Sequence, residues 1–116
     1  MTIQEPISNT TGARPWHKVY KELGVSGEAP KIAERSLADY VEEHAKNRAG
    51  EVALVYTDKG VEITWAQLDA WGNRFAHLLR SLGMQKGDVM GVHLPNTPQY
   101  VVALLGAAKA GVTVSG

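Results

Sequence analysis

Asp88-Val89-Met90-Gly91-Val92-His93-Leu94 is followed by Pro95-Asn96, then by Thr97-Pro98-Gln99-Tyr100-Val101-Val102-Ala103-Leu104-Leu105-Gly106-Ala107-Ala108-Lys109-Ala110-Gly111 and Val112-Thr113-Val114. The changes of period along this stretch decide the fold. Val89 and Val92 are β-branched and mark a strand over residues 88–94. Pro95-Asn96 is a turn, and Thr97-Pro98 supplies an N-cap with proline at the first helical position. The helix that follows carries Tyr100, Val101, Leu104, Leu105 and Ala108 on one side and stops at Gly111. Val112 opens a second strand. Strand, helix and strand in this order predict a parallel βαβ unit with a right-handed crossover. The fold class is therefore α/β. A strand of such a unit is normally buried between neighbours, so a sequence running only to Gly116 is expected to be cut within that strand.

Working backwards, Leu68, Trp71, Phe75, Leu78, Leu79 and Leu82 form a stripe at helical spacing that ends at Gly83. Thr64 and Gln67 form a capping box at its start. The β-branched runs 52–57 and 61–64 flank Asp58-Lys59-Gly60 and predict a β-hairpin. Before it, Leu37, Tyr40, Val41 and Ala45 predict a helix over residues 37–48, with Ser36 and Asp39 as its capping box and Gly50 just past its end. Residues 15–33 hold Trp16, Tyr20 and Leu23 among Gly24, Gly27 and Pro30, and are expected to be extended, with the aromatics lying on the body of the protein. Residues 1–14 are polar and are expected to form a disordered or loosely docked arm. The division is thus an amino-terminal arm, 1–33, and an incomplete α/β portion, 34–116.

Composition excludes several classes. Lys plus Arg and Asp plus Glu are 12 each, for a formal net charge of zero, so there is no electrostatic footprint for nucleic acid. Low net charge also favours self-association, which is expected of this chain. The absence of cysteine rules out disulfides, thiolate metal sites and a cysteine nucleophile. No secretory signal is visible, and no apolar run approaches the roughly 20 residues needed to span a bilayer. A cytoplasmic protein is expected.

A residue-by-residue search finds no active site. Gly106-Ala107-Ala108-Lys109-Ala110-Gly111 has two glycines, but they flank a helix end, and Val112 stands where a phosphate loop needs lysine. Close packing followed by a C-cap explains them. The loop at Pro95–Pro98 has no glycine. His17, His44, His77 and His93 have no pair at metal-ligand spacing. His93, at the carboxyl end of a strand, is the one placed where a site could form, and is read as a hydrogen-bonded structural residue. The other three are assigned to the surface or the arm. Glu42 and Glu43 are read as a solvated helix face, and Asp39, Asp69 and Asp88 as capping or helix-dipole residues. Trp71 and Phe75 are read as a core face. The catalytic, cofactor-binding and metal-binding residues assigned to this chain are none.

Four segments, taken in order, resemble the adenylate-forming (AMP-binding) enzymes. Glu62-Ile63-Thr64-Trp65-Ala66-Gln67-Leu68 is similar to a threonine–aromatic–x–glutamate–leucine motif of that family. Trp71-Gly72-Asn73-Arg74-Phe75-Ala76 and Leu78-Leu79-Arg80-Ser81-Leu82-Gly83 resemble its asparagine–arginine–x–alanine … leucine–glycine helix. Leu94-Pro95-Asn96-Thr97-Pro98 resembles its proline–asparagine–x–proline turn, and Gly106-Ala107-Ala108-Lys109-Ala110-Gly111 its glycine–x–x–lysine–alanine–glycine element. Trp65 and Gln67 replace the more usual tyrosine and glutamate. The Arg14-Pro15-Trp16-His17 opening is similar to that of the fatty acid–CoA ligase branch.

The resemblance implies the amino-terminal part of an acyl-CoA synthetase-like fold, in a parent enzyme that joins a fatty acid to CoA at the expense of ATP, with Mg²⁺. An acyl-adenylate is formed with release of pyrophosphate, and the CoA thiol then attacks it. The matched motifs are scaffold motifs; the residues that bind ATP, Mg²⁺ and CoA in that family lie beyond residue 116. This chain alone is therefore expected to be inactive, and its parent to be cytoplasmic or peripheral at a membrane. Two alternatives stand beside this reading: a non-catalytic α/β interaction module, or an adenylate-forming enzyme for an aryl, short-chain or amino acid.

Overall fold

The computed structural model describes residues 14–116. They fall into two compact units that divide between Ala33 and Glu34. The expectation of a disordered arm falls on residues that, apart from Arg14, lie outside this range.

The first unit corrects the expected extended conformation, because Pro15–Glu22 is a helix, α1. Proline at its first position gives up no helical hydrogen bond and arrives with its φ already set. Trp16, Val19, Tyr20 and Leu23 then recur at i, i+3, i+4 and i+7, a helical period that the glycines and Pro30 nearby obscured in the sequence. The Nδ1 of His17 accepts the Arg14 backbone N–H at 3.2 Å, satisfying a group at the helix start.

The second unit orders α2 (Leu37–Asn47), β1 (Val52–Tyr56), β2 (Val61–Thr64), α3 (Trp65–Ser81), β3 (Val89–Gly91), α4 (Pro98–Ala110) and β4 (Thr113–Ser115). Both capping boxes form. The Ser36 hydroxyl accepts from Asp39 N–H at 3.1 Å and the Asp39 carboxylate from Ser36 N–H at 2.8 Å. Thr64 and Gln67 repeat the exchange at 3.2 and 3.0 Å. Caps of this kind contribute about 1 kcal/mol each. Two further amides of the first turn of α3, those of Trp65 and Ala66, donate to the Glu51 and Ala49 carbonyls at 3.1 Å. With the Thr64 and Gln67 amides, all four donors that a helix start leaves free are thereby satisfied.

β1 and β2 pair antiparallel, with Tyr56 opposite Val61 and a register shift between Val52 and Leu54. The connection is a single 3₁₀ turn, Thr57–Lys59, closed by Gly60 at φ +62°; a side chain at that position would be strained. β3 and β4 pair in parallel, Val89 opposite Thr113, as the strand–helix–strand order predicts. The regular part of β3 is shorter than residues 88–94, although the Val92 N–H continues the ladder to Ser115 at 2.8 Å. α4 ends at Gly111, φ +75°.

Two apolar clusters hold these elements. Val41, Ile63, Leu68 and Leu105 join α2, the hairpin, α3 and α4. Leu79, Ala107, Ala110 and Val112 join α3 and α4 to the parallel pair, with Phe75, Met84 and Met90 packed against them. The α3 stripe is therefore only half a core face. Leu68, Gly72 and Leu79 face α4 and are buried, whereas Trp71, Leu78 and Leu82 stand 37%, 49% and 71% exposed. These three project from one edge of the stripe, rotated about 40–80° from Leu68 by the 100° advance per residue.

On α4 the buried residues are mostly small, Ala103, Gly106, Ala107 and Ala110, together with Leu105. Leu104 and Ala108, expected on the packed side, are exposed. The large apolar residues of a nearly all-apolar helix misreport its contact face, because the closest approach is made where side chains are smallest. At Gly106 an added Cβ would stand 2.7 Å from Phe75 Cδ1 and 3.0 Å from the Gly72 carbonyl oxygen. The two glycines of the Gly106–Gly111 segment thus serve close packing and a C-cap.

Candidate functional site

Charged side chains from three helices of the second unit converge at one place. Lys109, near the carboxyl end of α4, extends its ammonium between α2 and α3, and its side chain is 6% exposed. Nζ donates to Glu42 Oε1 at 2.9 Å and lies 2.7 Å from Asp69 Oδ1. Asp69 Oδ1 is fully enclosed and forms no well-aligned hydrogen bond, so opposite charge is the main attraction across that contact. Its other oxygen accepts from Asn73 at 3.4 Å. One cation therefore ties three helices together.

Burial is the largest single influence on Lys109 and disfavours the ammonium; Asp69 and Glu42 outweigh it and hold the pKa above the ordinary lysine value. The clasp corrects two expectations. Glu42 is not merely part of a solvated face, and Asp69 is not explained by capping. Adjacent glutamates and an acid near a helix start carry no trace of a partner that lies 67 residues from Glu42 and 109 − 69 = 40 from Asp69. Lys109 stands in the glycine–x–x–lysine–alanine–glycine segment, but only tertiary packing shows what it holds.

The second feature is apolar. Trp71 and Phe75 of α3, Met90 of β3, His93 and Leu94 beyond it, and Val102 of α4 line an open groove of about 560 Å³. Trp71 thus forms a groove wall rather than a closed core, while Phe75 both lines the groove and packs against the second cluster as expected. His93 is exposed at the groove and its ring makes no hydrogen bond among the described residues, contrary to the structural role expected of it. His44, assigned to the surface, is half-buried with its ring 4.7 Å from that of Trp65. His77 is exposed, as expected.

The strand-to-helix turn before α4 presents Pro98, which has no N–H, and the Thr97 hydroxyl donates to the Pro95 carbonyl at 3.4 Å instead of capping the helix. Among the described residues no three His, Cys, Asp or Glu side chains gather at metal-binding distance. No helix of the described residues is long and apolar enough to cross a membrane.

Comparison with known proteins agrees with the resemblance seen in the motifs. Long-chain fatty acid transport protein 1 of Mus musculus is 42% identical over 71 residues, 61% of this chain and 11% of that protein. Acetyl-coenzyme A synthetase of Methanothrix soehngenii is 34% identical over 110 residues, 84% of this chain and 16% of that protein. Among solved structures, a fatty acyl CoA synthetase of Mycobacterium tuberculosis superposes with a TM-score of 0.65 at 30% identity, over 68% of this chain and 16% of that one. The N-terminal domain of FACL13 from the same organism gives 0.66 at 30%, over 69% of this chain and 20% of that one. This chain therefore spans about a tenth to a fifth of the length of these proteins, and its fold is part of the N-terminal domain of an acyl-CoA synthetase. Residues 41–116 match the family described as AMP-binding enzyme, and to that family the chain belongs.

Proposed function

We propose that this chain is an amino-terminal stretch of a fatty acid–CoA ligase and supplies scaffold rather than chemistry. The parent reaction joins fatty acid, ATP and CoA into acyl-CoA, AMP and pyrophosphate, with Mg²⁺, in the cytoplasm or at a membrane surface. The observation that carries the reading is how the polar groups are spent. Ser36, Asp39, Thr64 and Gln67 cap helices, Asp88 closes the turn at Gln85, and Glu42, Asp69 and Lys109 hold one another. A fatty acyl substrate, rather than acetate, is favoured by the Arg14-Pro15-Trp16-His17 opening and by the relatives named for fatty acids.

ATP–pyrophosphate exchange tests both halves. The purified 116-residue chain is expected to give no exchange with palmitate or with acetate, and exchange above background would sink the scaffold reading. The longer enzyme that contains this stretch is expected to form CoA thioester faster from palmitate than from acetate; the reverse preference would remove the fatty acyl assignment and leave the scaffold role standing.

The same chain is expected to self-associate through the apolar edge of α3 and the open side of β3, where Leu78, Leu82 and Val89 are exposed. Val112, 5% exposed, is spent in the core and takes no part. Sedimentation velocity should show dimers or larger species at micromolar concentration; a monodisperse monomer there would refute this.

A further inference from the structure

We infer that α1 is an interfacial anchor, which seats this chain on the surface of an anionic lipid bilayer. At 100° per residue, Val19, Leu23, Trp16 and Tyr20 fall within one arc of about 100°, while His17, Lys18, Lys21 and Glu22 occupy the opposite side. No residue of α1 is buried. Trp16, Val19, Tyr20 and Leu23 stand 47%, 49%, 38% and 69% exposed, and Val25 and Ile32 beyond the helix are exposed as well. An apolar face with two aromatic residues and an opposing lysine-bearing face is the composition of helices that lie in the plane of the headgroups. Tryptophan and tyrosine favour that depth because each has an apolar body and a polar tip. Two helical turns, about 12 Å long, suit lying along an interface and fall far short of crossing one.

Charge selects the occupant. Residues 14–33 carry four basic side chains, Arg14, Lys18, Lys21 and Lys31, against Glu22 and Glu28, a net of 4 − 2 = +2. Residues 34–116 carry eight basic against nine acidic, a net of 8 − 9 = −1. With Glu5 counted, the unit of residues 1–33 carries 4 − 3 = +1 against the −1 of residues 34–116, so the basic excess of a chain that is neutral overall lies in the unit that exposes the amphipathic helix. Lysines opposite the apolar face can extend their ammonium groups to lipid phosphates while their stems stay at the boundary.

The anchor does not depend on the substrate reading, and its test uses no activity. The full 116-residue chain is sedimented with vesicles of phosphatidylcholine alone, or of phosphatidylcholine and phosphatidylglycerol in equal parts. Binding is expected to the mixed vesicles, to weaken with added salt, and to fall by at least about tenfold in K18E/K21E. The W16A/L23A variant is expected to lose binding as well. Wild-type binding that neither pair alters would place the lipid contact elsewhere in the chain and overturn the anchor. Two outcomes without vesicle binding would also overturn it. A lowered thermal midpoint in W16A/L23A would show the face packed on protein, and loss of a dimer in sedimentation velocity would show it packed on a second copy.

Discussion

Lys109→Ala is expected to lower the unfolding free energy by about 3 kcal/mol, because it leaves two carboxylates facing each other where one cation held them. The figure is at the low end for breaking a buried pair, since the Glu42 side chain is 49% exposed and can recover hydration. Asp69, 21% exposed and with one oxygen enclosed, has no such recourse. Urea unfolding followed by circular dichroism measures the loss. Lys109→Met keeps much of the stem and should destabilise by a similar amount if the charge matters, but far less if only packing does. An unchanged midpoint in Lys109→Ala would dissolve the clasp.

The pH dependence has a definite sign. A lysine whose folded pKa is raised contributes stability that is fully present below its unfolded value near 10.5 and lost as pH rises through the higher folded value. The difference between wild type and Lys109→Met should therefore stay flat through neutrality and narrow only in the strongly alkaline range.

Gly106→Ala carries the second large effect. Alanine is the better helix former by about 1 kcal/mol, so an exposed glycine would gain by the change. Here the new methyl would lie 2.8 Å from Phe75 Cβ and 3.0 Å from the Gly72 carbonyl oxygen, neither of which can swing away. Separating α3 from α4 to admit it should cost about 3 kcal/mol net, at the upper end of overpacking penalties, because both clusters cross that contact. Gly72→Ala meets Leu105 Cδ2 at 2.8 Å and Cγ at 2.9 Å, side-chain atoms that can shift with rotamer, and should cost less. The order of the two urea midpoints is the check, and a more stable Gly106→Ala would contradict the packing described.

Local chemistry was the legible part of this sequence. Ser36 with Asp39, Thr64 with Gln67, the Gly60 turn and the Gly111 stop all act within a few residues, and each forms as its spacing predicts. The parallel pairing of β3 with β4 was legible too, since a strand–helix–strand run has few other solutions. What the spacing could not convey depends on distant neighbours. Trp71, Leu78 and Leu82 share the period of Leu68 and Leu79, and only the position of α4 decides which half of the stripe is covered. Glu42 looks like any exposed glutamate until Lys109 is placed beside it. α1 was hidden for the opposite reason: its helical period is clear, but Pro30 and the glycines beside it pointed to extended chain. Of the candidate site, the groove and the clasp arise from packing and leave no mark in the local spacing.

The parallel pairing also sets a schedule for synthesis. The β1–β2 hairpin can close once Thr64 has left the ribosome, because its partners are near neighbours. Val89 must wait for Thr113, which is 113 − 89 = 24 residues later. At 5–20 residues per second that is a wait of roughly 1–5 s, far longer than a helix or hairpin needs to form. During that interval the nascent chain offers a strand with no partner beside the apolar flank of α3, and this is when a chaperone that captures bare apolar strands would have its opening.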